Sequence, residues 1–171
     1  MMSGISKIWV KSVNLNAQEQ SETALFYEEN IMSKFNIVSG DWEILKQDAQ
    51  YIRESVFIQE QQIDAAEEWD DQDSISLHFV VYDDLKPIAT ARLLKNNSIG
   101  RVAVLKEYRG QGTGQLLMLE IIAQAKIEKR KVLKLSSQVH AIAFYERLGF
   151  SVQGEQYLDC GIPHIDMHLI F

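Results

Sequence analysis

The sequence predicts a mixed α/β (α+β) fold. One central sheet is built from an antiparallel meander followed by a β-α-β-α-β run, with helices on its flanks. Three observations carry that prediction. Apolar runs at 77–82, 88–94 and 99–104 are separated by short polar turns, the mark of hairpins. A glycine-rich turn at 109–114 leads into a segment of helical period. In the last run, Ile165, Met167, Leu169 and Phe171 alternate with more polar neighbours, as in a half-buried strand.

The elements follow in chain order. Ile8-Trp9-Val10 is a short β-like run, and residues 19–35 carry a loose apolar stripe of helical spacing. Ser39-Gly40-Asp41 reads as a break, so residues 1–41 are taken as an N-terminal extension and 42–171 as the domain. Trp42 to Leu45 reads as a strand. Residues 48–57 read as a helix, with Asp48 as its N-cap and Tyr51, Ile52, Ser55 and Val56 at helical spacing. An acidic loop, 64–73, precedes the meander. Beyond the glycine-rich turn, a helix from about Thr113 to Lys129 buries Leu117, Ile121, Ile122 and Ala125. Val132 to Leu135 is a buried strand. A helix from His140 to Leu148 ends at Gly149, a natural C′ residue.

Composition narrows the function. The 171 residues are 46% hydrophobic and 24% charged, which fits a globular domain rather than a disordered chain. Asp plus Glu number 24 against 17 Lys plus Arg, a net charge of −7. That balance speaks against a backbone-neutralising nucleic-acid binder. Cys160 is the single cysteine, so no intrachain disulfide forms and a reducing compartment is expected. No apolar stretch approaches the roughly 20 residues of a membrane span, and no signal peptide is evident. The expected location is the cytoplasm. No Cys/His spacing suggests a metal site.

The turn Arg109-Gly110-Gln111-Gly112-Thr113-Gly114 sits between a strand and a helix. Its glycines permit positive φ and a close approach to the backbone amides. The helix that follows opens with unpaired N–H groups and partial positive charge, which suits a pyrophosphate. A tight turn without a ligand is the plainer alternative. Gln115 stands where a P-loop needs lysine, and the glycine spacing is not that of a dinucleotide fingerprint.

Arg109-x-x-Gly112-x-Gly114, following Arg101-Val102-Ala103-Val104, resembles the acetyl-CoA signature of the GCN5-related N-acetyltransferases. The run from Gln138 to Phe150, with Phe144-Tyr145-Glu146-Arg147-Leu148-Gly149 at its end, resembles their C-terminal motif. Val56 to Gln61, Asp70 to His78, Ala89-Thr90-Ala91-Arg92-Leu93 and Gly161 to Met167 resemble an ElaA-like subgroup. The resemblance covers about residues 42–171. Gln138 stands where many members of the wider family carry Asn.

The resemblance implies an acetyl-CoA-dependent N-acetyltransferase that moves an acetyl group directly from the thioester to a primary amine of a small molecule or peptide. Acetyl-CoA would be the co-substrate. Its pantetheine would pair with the main chain of Val102 and Val104 on either side of Ala103, and reach Gln138. The backbone from Arg109 through Gly110, Gln111, Gly112, Thr113 and Gly114 would cradle the pyrophosphate. Tyr145 would act as general acid toward the leaving thiolate, since a phenol can donate a proton or hydrogen bond. A core tyrosine beside Phe144 and Leu148 is the plainer alternative. Glu60 and His78 are candidate bases, with Glu54 and His164 behind them. His140 and His168 read as surface or packing residues. Cys160 reads as structural. The acidic loop, with Asp64, Glu67, Glu68, Asp70, Asp71 and Asp73, reads as a solvated loop or as a mouth that steers cationic amines.

A non-catalytic acyl-CoA-binding regulatory module is the alternative, and it would not need Tyr145. An interaction role for the extension, including a homodimer, stays open. Neither nucleic acid nor membrane is an expected partner.

Overall fold

A computed structural model describes residues 34–171. The run around Trp9 and nearly all of the helix expected over 19–35 lie outside the described residues.

A seven-stranded sheet in the order β1-β2-β3-β4-β5-β7-β6 forms the centre. Strands β1 (Asn36–Gly40), β2 (Leu77–Asp83), β3 (Lys86–Leu93) and β4 (Ser98–Val104) pair antiparallel in sequence. Strand β5 (Val132–Gln138) runs parallel to β4. Strand β7 (Ile162–Ile170) pairs antiparallel with β5, and β6 (Ser151–Asp159) closes the edge beside β7. Four α-helices accompany the sheet among the described residues: α1 (Trp42–Arg53), α2 (Ala65–Glu68), α3 (Thr113–Ile127) and α4 (Ile142–Glu146). The expected mixed sheet, meander first, is the observed one. Strand β1 adds residues that the sequence assigns to the extension.

Three local expectations are corrected. Trp42 to Leu45 is not a strand but the first turn of α1. Asp41, rather than Asp48, precedes that helix in extended conformation, and its carbonyl accepts from the amides of Ile44 and Leu45. Leu45, Ala49, Ile52 and Val56 are buried at alternating steps of four and three, the helical period. The strand at 132–135 extends to Gln138. Strand β6 has no counterpart in the sequence reading, because every one of its residues is exposed and no buried face imprints an alternation.

Alternate residues of β2 divide the core. Phe79 and Val81 join α3 residues Leu117, Met118 and Ile121 in one cluster. Val80 joins Leu45, Ala49 and Ile52 of α1 in the other. Fully burying a side chain such as Ile52 or Leu117 contributes about 1.5–3 kcal/mol, so both faces of the meander are fixed. Among the described residues no helix is long and apolar enough to cross a membrane.

Two irregularities position the site. Between the pairs Thr90↔Ala103 and Arg92↔Gly100, one β3 residue faces two on β4. This is a β-bulge, and Arg101 in it adopts φ 54°. Beyond the bulge β4 leaves its neighbour: β4 and β5 pair only at Ser98↔Lys134 and Ile99↔Leu135. The two strands splay apart toward their C-terminal ends.

Candidate active site

The splay opens into a cavity of about 1230 Å³. Its walls are β4 from Ile99 to Val104, the turn after it, the end of β5, α4, and the tip of the β6–β7 hairpin. Opposite β4 stands a π-helical segment, Glu54–Glu60, that continues α1. Such segments are uncommon and concentrate at functional sites.

Most of the residues singled out in the sequence converge here. Glu60, Val102, Ala103, Val104, Arg109, Gly110, Gly112, Gly114, Gln138, Tyr145 and His164 all line the cavity. Gly110 and Gly112 adopt φ 71° and 84°, which favours glycine. Nothing lies within 4 Å of where a Cβ would stand on Gly110. Gly112 is the N-cap of α3 and no side chain caps that helix, so its first amides keep their donors. A Cβ on Gly114 would meet Phe144 at 3.5 Å and Val104 at 3.7 Å. A larger side chain there would fill the floor of the cleft. The open strand edge, the uncapped amides and the glycine floor fit an extended ligand that ends in a pyrophosphate.

Two residues of the turn do other work. Thr113 is buried, and its hydroxyl donates to the Tyr108 carbonyl at 3.1 Å. Gln111 accepts from Lys34 at 3.2 Å and donates to the Glu107 carbonyl at 2.6 Å. Neither side chain lines the cavity.

Tyr145 on α4 is 8% exposed and lies edge-on to Phe144 and Phe150. Among the described residues its hydroxyl has no hydrogen-bond partner. Burial pushes its pKa up to about 12, so the phenol stays protonated at neutral pH.

The candidate bases part ways. His78 is 1% exposed on the α1 face of β2, with its ring 4.7 Å from that of Trp42 and Nε2 2.9 Å from the Asp73 carbonyl oxygen. Burial lowers its pKa. It does not line the cavity, so its position is that of a packing residue and not of a base. Glu54 is exposed and also off the cavity. Glu60 takes a bidentate ion pair from Arg109, at 2.6 and 2.7 Å. The hydrogen bond from Arg109 holds its carboxyl below the usual range, which makes it a poor proton acceptor. His164 lines the cavity, with Nδ1 2.8 Å from the Ile162 carbonyl oxygen and its ring stacked on Tyr157.

Half of the acidic loop's six carboxylates are not simply solvated. Glu68 and Asp73 are buried at 2% and 3% exposure. Arg53 donates to Glu68 and, at 2.8 Å, to Asp73. Arg92 donates to Asp70 and Asp73 at 2.6 and 2.7 Å. Arg101, in the β4 bulge, pairs with Glu68 at 3.1 Å and Asp70 at 3.2 Å. Three guanidiniums meet three of the loop's six carboxylates, so part of the loop's charge is cancelled here, while Glu67 still lines the cavity. The cluster also ties the bulge to the loop. Composition could not reveal this, because the arginines come from α1, β3 and β4.

Cys160 lies in the β6–β7 turn, and its thiol donates to Glu67 at 2.7 Å. That hydrogen bond pushes its pKa up to about 12, which suppresses the nucleophilic thiolate.

Comparison with known proteins agrees with this geometry. Residues 45–171 match the acetyltransferase (GNAT) domain. The uncharacterized N-acetyltransferase YjcF of Bacillus subtilis is 37% identical over 135 residues, which cover 77% of this chain and 96% of the relative. The crystal structure of Escherichia coli ElaA superposes with a TM-score of 0.72 at 28% identity, over 78% of this chain and 99% of that one. An acyl-CoA N-acyltransferase from Pseudomonas aeruginosa superposes with a TM-score of 0.70 at 30% identity, over 79% and 99%.

Proposed function

The chain belongs to the GNAT acetyltransferase family, whose members use an acyl-CoA co-substrate, and from that premise we propose that it transfers an acetyl group from acetyl-CoA directly to a primary amine of a small molecule or peptide. The observation that carries the proposal is the splayed β4–β5 pair opening on a cavity that also contains Tyr145. A reducing, cytoplasmic setting suits the lone thiol of Cys160.

The main chain of Val102 and Val104 offers hydrogen-bonding groups along the open edge, where a pantetheine would pair. The backbone from Arg109 to Gly114 would hold the pyrophosphate with uncapped amides and the dipole of α3. Neutral amides do this without a basic surface, so the charge of −7 is no obstacle. An acyl-CoA bound here supplies a thioester whose carbonyl carbon an amine nitrogen attacks and whose C–S bond then breaks, leaving a thiolate.

Tyr145 offers its O–H to that sulfur. Burial holds the phenol firmly protonated, which disfavours complete transfer of its proton to the leaving thiolate. Tyr145 therefore acts chiefly as a hydrogen-bond donor to the developing charge, and the final proton comes from solvent. Such a donor in a water-poor site contributes about 10²–10³-fold in rate. Glu60, with its depressed pKa, suits holding an ammonium better than deprotonating one.

The pH profile tests this assignment. With Tyr145 protonated up to about pH 11, kcat/KM rises with pH as the acceptor amine loses its proton. It does not fall again between about pH 8 and 10. Release of CoA from acetyl-CoA, measured over that range with acceptors drawn from an amine and peptide screen, reads the profile. A descending limb between about pH 8 and 10 would mean that an essential donor titrates there, contrary to the raised phenol pKa, and its persistence in Tyr145→Phe would remove Tyr145 from the role.

A further inference from the structure

Arg109 and Gln138, two polar residues of the expected cofactor site, are both already engaged through their side chains, and by consecutive residues. Glu60, the last residue of the π-helical segment, binds the Arg109 guanidinium through both carboxylate oxygens. Gln61, next in sequence, accepts at Oε1 from Gln138 Nε2 at 3.0 Å. Arg109 also donates through Nε to the Val104 carbonyl at 2.9 Å, a group on the strand edge that a pantetheine would use. The contacts span 49 and 77 residues of sequence. They join one short segment to opposite banks of the splayed strands. All four side chains line the cavity.

We propose that Glu60 and Gln61 form an internal stand-in for the cofactor: they hold Arg109 and Gln138 until an acyl-CoA takes those donors, and the freed Glu60 carboxylate then becomes the ligand for the acceptor's ammonium. The inference rests on the acyltransferase reading and adds to it a contact that competes with the cofactor. A carboxylate presents two anionic oxygens to a guanidinium much as a phosphate does, so one group substitutes for the other. The displaced pair is weak, because both partners are more than a third exposed and exposed ion pairs contribute little. The strap therefore yields readily to a phosphate. Before it yields, the carboxylate that an ammonium would need is neutralised by Arg109.

The test is the affinity for CoA itself, by calorimetric titration of the full chain. Glu60→Gln removes the competing carboxylate and should tighten CoA by roughly fivefold. Arg109→Gln should weaken it, and in that background Glu60→Gln should have almost no effect, because the strap is already broken. Glu107→Gln is the control for bulk charge. It removes an equal charge near the same turn, from a carboxylate that Lys86 holds at 3.0 Å, and should change the affinity less. The strap is overturned if Glu60→Gln leaves or weakens CoA affinity, if it acts equally in both Arg109 backgrounds, or if Glu107→Gln matches it. Absence of CoA binding by the unsubstituted chain would overturn the acyltransferase reading itself, and the strap with it.

Discussion

Replacing Tyr145 by Phe is expected to lower kcat by about 10²-fold or more while CoA affinity stays within about twofold. The two effects separate because the hydroxyl has no partner among the described residues, whereas the ring packs against Phe144 and Phe150. Removing the oxygen therefore leaves the wall of the cavity intact, and the melting temperature should hold or rise slightly. Transition-state stabilisation is lost without loss of ground-state binding, which lowers kcat and kcat/KM together. CoA release under saturating acetyl-CoA, paired with a CoA titration, measures both quantities. Unchanged turnover would show that another group serves the leaving sulfur. Unchanged biological function without any turnover would favour a non-catalytic acyl-CoA-binding module.

The second large effect concerns stability. Arg53→Ala is expected to cost about 3–5 kcal/mol, because it leaves buried carboxylates short of a counter-charge. Arg53 is 1% exposed, with its guanidinium 5.6 Å from the Trp42 ring centroid and 4.8 Å from that of Trp69. Its loss exposes Glu68 and Asp73 to each other with only Arg101 and Arg92 remaining. For a domain of this size the melting temperature should fall by about 10 °C. Lys46→Ala, which removes an exposed pair with Glu43, should cost under about 0.5 kcal/mol. Denaturant unfolding of the two variants makes the comparison. A loss below about 1 kcal/mol for Arg53→Ala would mean that the cluster is solvated rather than buried.

The same cluster sets the response to acid. The hydrogen bond from Arg92 holds the Asp70 carboxyl below its usual range. A carboxyl with a depressed folded pKa contributes stability that is fully present above the unfolded value, near 4. That contribution is lost as pH falls through the folded value. Burial raises the Glu68 carboxyl and opposes this, so the loss in acid is carried by the Asp70 pairs with Arg92 and Arg101.

The sheet, the glycine turn and Tyr145 were legible in sequence because each leaves a local mark. The meander strands, buried on both faces, are apolar runs between polar turns, the glycines of 110–114 punctuate the passage from strand to helix, and Tyr145 lies in a run of helical spacing. What was not legible depends on distance or on exposure. Strand β6 has no buried face. The start of α1 at Trp42 was hidden by the strand-like look of Trp42-Glu43-Ile44-Leu45, although the buried series from Leu45 to Val56 had the helical period. The arginine cluster joins residues 15 to 33 positions apart, so the carboxylates of 64–73 counted as free charge. Likewise Glu60 and Arg109 show no sign in sequence of meeting. His78 illustrates the limit: its residue type makes it a candidate base, but nothing in the sequence places it under Trp42. Only the packing of α1 on β2 removes it from the chemistry.

The central claim is that the splayed edge of β4 and the turn after it bind an acyl-CoA. Amide chemical shifts recorded during titration of the full chain with CoA test it most directly. Saturable shifts should concentrate at 102–104 and 109–116, with smaller ones at Gln138 and Tyr145 and none at His78. Absence of saturable shifts, or shifts centred on another face such as the exposed edge at β6, would contradict it.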